Sequence, residues 1–152
     1  MAREARSERA ADSLQRILSS QISPFLRAKG FRRKGRTFHK WVGDNCQVIN
    51  FQGSVSSDRL HHRFTINVSV FYGKLYRTLT GTDFIPEFPQ ESECQWRQRM
   101  GNLLPEHRDK WWTITLDDPT DVLGAELVDG LERYALPILD NRVQQEPGRP
   151  GR

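Results

Sequence analysis

Only two cysteines, Cys46 and Cys94, occur in 152 residues. So few in a chain this long cannot form a disulfide framework, and both are expected to be reduced thiols. No apolar run approaches the roughly 20 residues that a membrane-spanning helix needs. The N-terminal stretch "MAREARSERAADS" is highly charged, with no apolar segment behind it. Neither a signal peptide nor membrane association is expected, and the reading is cytoplasmic. Neither G-x-x-x-x-G-K-[ST] nor G-x-G-x-x-G occurs, which removes the common phosphate loops. "GSVSS" has no second glycine of a nucleophile elbow. His61 and His62 are neighbours, so on a strand they point to opposite faces and cannot share an ion. His39 and His107 have no ligand partner one helical turn away, and no C-x-x-C occurs. No metal and no cofactor is expected.

Acidic residues are missing from one long segment, Ser13 through Gly43. That segment carries Arg27, Lys29, Arg32, Arg33, Lys34, Arg36 and Lys40, among Phe31, Phe38 and Trp41. The later chain is mostly acidic, with Asp117, Asp118, Asp121, Glu126, Asp129 and Glu132 close together. The net charge of +4 therefore understates the asymmetry. It offers either a basic face for an acidic partner or two halves that attract each other.

Hydrophobic spacing supplies the elements. Leu14, Ile17, Leu18, Ile22, Phe25 and Leu26 recur at helical intervals and predict an amphipathic helix over 7–29. Pro24 either kinks it or starts a second helix capped by Ser23, and Gly30 ends it. Strands are predicted over 37–42, entered through a turn at Lys34-Gly35, and over 46–52, joined by the turn Gly43-Asp44-Asn45. The run 62–72 alternates strictly: Phe64, Ile66, Val68, Val70 and Tyr72 on one face, Arg63, Thr65, Asn67 and Ser69 on the other. A further strand is predicted over 111–117. The segment 93–104 fits a strand and a helix equally well. "TGTDFIPEFPQES" reads as an irregular excursion. Asp117-Asp118 precedes Pro119 and reads as the cap of a last helix rather than an acid–base pair. From Arg142 the composition predicts a disordered tail. The expected fold is α+β: one domain over 1–141, with flexible first residues, and a disordered segment over 142–152. Its antiparallel sheet has four to five strands, with the N-terminal and C-terminal helices packed on one face.

The stretches "PFLRAKGFRRKGRTFHKW", "VINFQGS", "FTINVSVF", "CQWRQRMGNLLPEHRDKWWTI" and "LERYALPILD" together resemble a bacterial family, domain of unknown function 4304. The resemblance spans about Leu14 to Asp140 and implies a bacterial, intracellular, stand-alone α+β domain. It carries no established activity, cofactor or catalytic residues over to this chain.

The leading functional expectation is a non-enzymatic binding module for a protein partner, for example a regulatory or toxin-neutralising one. The alternatives use particular residues. Arg32, Arg33, Lys34 and Arg36 could neutralise nucleic acid phosphates while Trp41 or Phe38 stacks on bases. Arg97 and Arg99 share a face if their segment is a strand. Beside Gln52, Asn50, Asn67 and Trp111 they could hold a small anionic ligand, bound or transformed.

Overall fold

The computed structural model describes residues 9–145. The helical spacing near the start produces α1 (Ala10–Ile17), which runs on through a π-helical turn at Leu18–Ile22 into α2 (Ser23–Ala28). The wide turn falls just before Pro24. A proline has no N–H and its ring collides with the carbonyl four residues back, and a widened turn relieves both problems without ending the helix. The same device recurs later: α4 (Thr120–Gly130) widens at Leu131–Ala135 before α5 (Leu136–Arg142), which carries Pro137 in its first turn. Ser23 does not cap α2, whose first turn carries Pro24. Gly30 ends α2 with φ of 99°. Phe31, buried at 2% exposure, returns its N–H to the Leu26 carbonyl.

Six strands follow: β1 (Arg32–Lys34), β2 (Thr37–Val42), β3 (Asn45–Gly53), β4 (His61–Tyr72), β5 (Trp96–Arg99) and β6 (Trp112–Thr115). All pairings are antiparallel, in the order β1-β2-β3-β4-β5. β6 pairs with β4 as well. β5 takes the Asn67–Val70 half of β4's free edge and β6 the His61–Phe64 half. The edge is thus interrupted where Met100–Asn102 and the following loop swing away. Segment 93–104 is resolved as a strand running into a short 3₁₀ turn. β1 was expected only as a turn, and α3 (Gly73–Thr80) was not expected at all.

One face of the sheet carries the main core. Phe38, Ile49, Phe51, Phe64, Ile66, Val68 and Val70 pack there against Leu14, Ile17, Leu18 and Ile22 from the first helix. Leu127, Leu131, Ala135 and Leu139 from the last helix join them, so both terminal helices cover this face as expected. Val143 packs there too, at 3% exposure, and its carbonyl accepts from Asn45 Nδ2 at 2.9 Å. Tyr72 Oη donates to the Arg142 carbonyl at 2.6 Å. Val143 thus completes the helix end at the start of the expected tail; 146–152, and the first residues 1–8 expected to be flexible, lie outside the described residues. Asp118 does not cap α4. Its carboxylate accepts instead from the Thr115 N–H at 2.9 Å and closes the preceding turn.

Candidate functional site

The opposite face of the sheet is divided. At one end Cys46, Val48, Phe71 and Cys94 form a second, small cluster under Tyr76 of α3 and Ile85. Both thiols are free and buried. Burial pushes the Cys46 thiol up to about 12 and the Cys94 thiol higher still, which keeps both in the unreactive protonated form. The remainder of the face is polar and open. By register, Thr37, His39, Asn50, Gln52, Asn67, Arg97 and Arg99 point there.

A strap, residues 81–95, borders this open half. Three side chains fasten it. Trp41 Nε1 donates to the Glu87 carbonyl at 3.1 Å, and Arg97 Nε donates to Glu91 Oε2. His39 Nε2 lies 2.8 Å from the Pro89 carbonyl. A carbonyl only accepts, so His39 holds its proton on Nε2 and Nδ1 is bare. Nδ1 is buried and has no hydrogen-bond partner. A second proton would have nowhere to bond, in keeping with an imidazole held below its ordinary pKa by burial and by the nearby Lys34 charge.

Two adjoining clefts result. The larger, about 490 Å³, lies between Lys34, Thr37, His39 and Asn50 on the sheet and Phe88 and Glu91 on the strap. The smaller, about 260 Å³, lies between Gln52, Asn67, Arg97 and Arg99, again with Glu91. Gln52 and Glu91 belong to both, so the clefts are two parts of one groove. Its floor is an amide ladder. Asn67 Nδ2 donates to Asn50 Oδ1 at 3.1 Å and to Gln52 Oε1 at 2.9 Å, and Asn50 Nδ2 donates to Thr37 Oγ1 at 2.9 Å.

Aromatic rings stand at the two ends. Lys34 Nζ and Arg32 Cζ lie 4.7 and 5.7 Å from the centre of the Phe88 ring. Arg99 Cζ and Arg63 Cζ lie 5.2 and 5.4 Å from that of Trp111. Each ring therefore carries a pair of cations at cation–π distance. Arg99 Nη1 makes no hydrogen bond, and its nearest carboxylate oxygen, Asp109 Oδ1, is 3.8 Å away.

The basic stretch singled out in the sequence does not stay together. Arg32 and Lys34 join the groove, while Arg33 and Arg36 turn to the helical side. Arg33 donates to Gly35, Ser19 and Gln15 and so docks β1 on the first helix. Arg36 Nη1 donates to His62 Nε2 at 3.1 Å. Burial and the Arg36 charge together hold that imidazole below its ordinary pKa. Lys40 lies over the Phe31 ring on the helical side. Phe38 is buried in the core at 1% exposure, and Trp41 is taken up by the strap. Phe38 is therefore not placed to stack on a ligand, whereas Trp41 stays 37% exposed. Gln52, Arg97, Arg99 and Trp111 are brought together as alternation along the strands requires. Sequence reasoning passed over Phe88, Glu91 and Arg63. A phenylalanine bracketed by Pro86 and Pro89 was the available signal for the first.

The sequence matches the family described as Domain of unknown function (DUF4304) over residues 22–141, and the chain belongs to that family. No curated protein and no solved structure matches it.

Proposed function

We propose that the protein is a non-enzymatic binding module that takes an anionic chain in the groove on the open half of its sheet. The observation that carries this reading is the convergence of Lys34, Arg97 and Arg99 along one groove floored by amides. The chemistry on offer there is positive charge and hydrogen-bond donation, from groups fixed on strands or by their neighbours. Such groups recognise carboxylates and phosphates and hold them. The combined clefts are of the size at which ligand pockets work. Dispersal of the segment 27–40 over both sides of the sheet favours this groove over a patch confined to that segment. A partner protein's acidic stretch and a nucleic acid backbone both satisfy the description.

Side-chain amide resonances provide the test. Titration of the isotope-labelled protein with polyglutamate or with inorganic phosphate should shift the amide groups of Asn50, Gln52 and Asn67. Those of Asn141 and Gln145, which bond each other on the far helix end, should stay in place. Shifts spread evenly over both groups, or none, sink the proposal. Charge reversal at two groove positions, Lys34→Glu with Arg99→Glu, should abolish the response.

A further inference from the structure

We infer that the chain held in this groove is single-stranded nucleic acid, with one base stacked on Trp111 and another on Phe88. The inference rests on the anion-binding reading above and adds the ligand's class. An acidic polypeptide would need the cations alone. It gives no reason for two aromatic rings, one at each end of the groove, each with two cations beside it. A single strand needs that combination: a ring for the base and a charge within reach of the phosphate next to it.

The spacing suits several nucleotides rather than one. Phe88 stands over β1 and β2, where it meets Arg32, Lys34 and the edge of His39. Trp111 stands at the other side of β4, against Arg63 of β4 and Arg99 of β5. Across the strands the two positions are three spacings, roughly 14 Å, apart, and they are further offset along them. The amide ladder lies between them. Gln52, exposed to solvent, spends its carbonyl on Asn67 and keeps its Nε2 donor for a ligand. Base edges of an unpaired strand present the acceptors that such a donor reads. A duplex hides its base faces and offers the rings nothing to stack on. Glu91 occupies the Nε of Arg97, which offers the ligand its Nη donors, so Lys34, Arg32, Arg63 and Arg99 carry the larger electrostatic share.

The full chain is to be titrated into a fluorescein-labelled oligouridylate about eight nucleotides long, a common site size for one sheet-based domain. The expected dissociation constant at physiological salt is below about 0.1 mM, weakening steeply as salt rises. Trp111→Ala should weaken binding at least about 5-fold, the lower end of the stacking contribution of one base. Trp111→Phe should restore most of the loss, which a merely unfolded variant would not. Phe88→Ala should act in the same direction, and a duplex of equal length should bind less tightly than the single strand. Polyglutamate binding without oligouridylate binding overturns this inference and leaves the anion-binding module standing. Binding of neither overturns both. Oligouridylate affinity unchanged in both ring variants also overturns it, because the rings would then be idle.

Discussion

The two faces of the sheet are built from the same strands and by opposite means. On the helical face, side chains meet by shape: the Phe64 ring is stacked 5.7 Å from Trp112 and 6.5 Å from His62, and lies tilted 6.2 Å from Phe51. On the open half of the other face, Asn67 is nearly as buried, at 4% exposure, yet its order comes from hydrogen bonds to Asn50 and Gln52. Burial of apolar area is non-directional and additive, so the first face supplies stability. Hydrogen bonds exchanged for bonds to water contribute little net energy but fix direction. The second face therefore holds donors in place at small cost to the fold if one is changed. Phe64→Ala should destabilise the protein by about 3–5 kcal/mol. Asn67→Ala, on the same strand but on the other face, should cost only about 1 kcal/mol. Urea unfolding of both variants measures the contrast; equal losses would break it.

That contrast also explains what could be read from the residues in order. Strict alternation in "FTINVSVFY" announces one packed face and one polar face, because a strand's side chains must alternate. The α+β class follows from the order of the helices and strands, and Arg97 and Arg99 share a face once their segment is a strand. β1 escaped notice because Arg32-Arg33-Lys34 has no apolar residue to mark a period. Its pairing depends on Arg33 reaching Ser19 and Gln15, a contact 14 and 18 residues distant. Segment 93–104 satisfied both periods, and the decision belonged to β4, whose free edge at Asn67–Val70 needs a partner. The strap was illegible for a different reason. Its position is set by single contacts from His39, Trp41 and Arg97 to its backbone or to Glu91, and such contacts leave no periodic trace.

A second way to press the comparison is to disturb the place where the two faces share support. Gly101 follows β5 at the interruption of the sheet edge. A Cβ there would overlap the Arg108 carbonyl and the Lys110 amide, both of them backbone groups. Those atoms precede Trp111, and the Lys110 carbonyl also accepts from Thr65 Oγ1 at 2.7 Å. Gly101→Ala should cost about 1–3 kcal/mol by overpacking. It should also weaken groove binding, since Trp111 and Arg99 flank the displaced loop. Denaturation together with the anisotropy titration reads both effects, and a stability loss with unchanged binding would separate loop from groove.

Acid probes the faces through one histidine each. His39, on the groove side, and His62, on the helical side, both sit below the ordinary imidazole pKa, burial being the larger cause in each. In the unfolded chain both titrate near pH 6.5. Below that value the unfolded state binds more protons than the folded one. The stabilising contribution is therefore complete above about pH 6.5 and is lost as pH falls towards the lower folded values. Urea midpoints should decline from neutral to mildly acidic pH, and His39→Asn or His62→Asn should each flatten the decline. Only the His39 variant should also loosen the strap at Pro89 and alter binding in the groove. A flat profile in the unsubstituted protein would exclude both histidines as the acid-sensitive groups.

The smallest effect separates two cations on the groove face itself. Arg97 and Arg99 are two residues apart on one strand, but Glu91 engages the first and Asp109 only approaches the second. Glu91 is a resident carboxylate inside the groove proposed to bind anions: it fastens the strap and would repel an anionic ligand. Glu91→Gln should keep the strap in place through His39 and Trp41 while releasing the Arg97 charge. Exposed ion pairs contribute at most about 1 kcal/mol, so oligouridylate or polyglutamate affinity should rise by no more than about 5-fold. The salt dependence should steepen at the same time, because one more cation then meets the chain. Weaker binding would show that Glu91 serves the groove as a positioning group, with the strap's place depending on the ion pair rather than on the two backbone contacts.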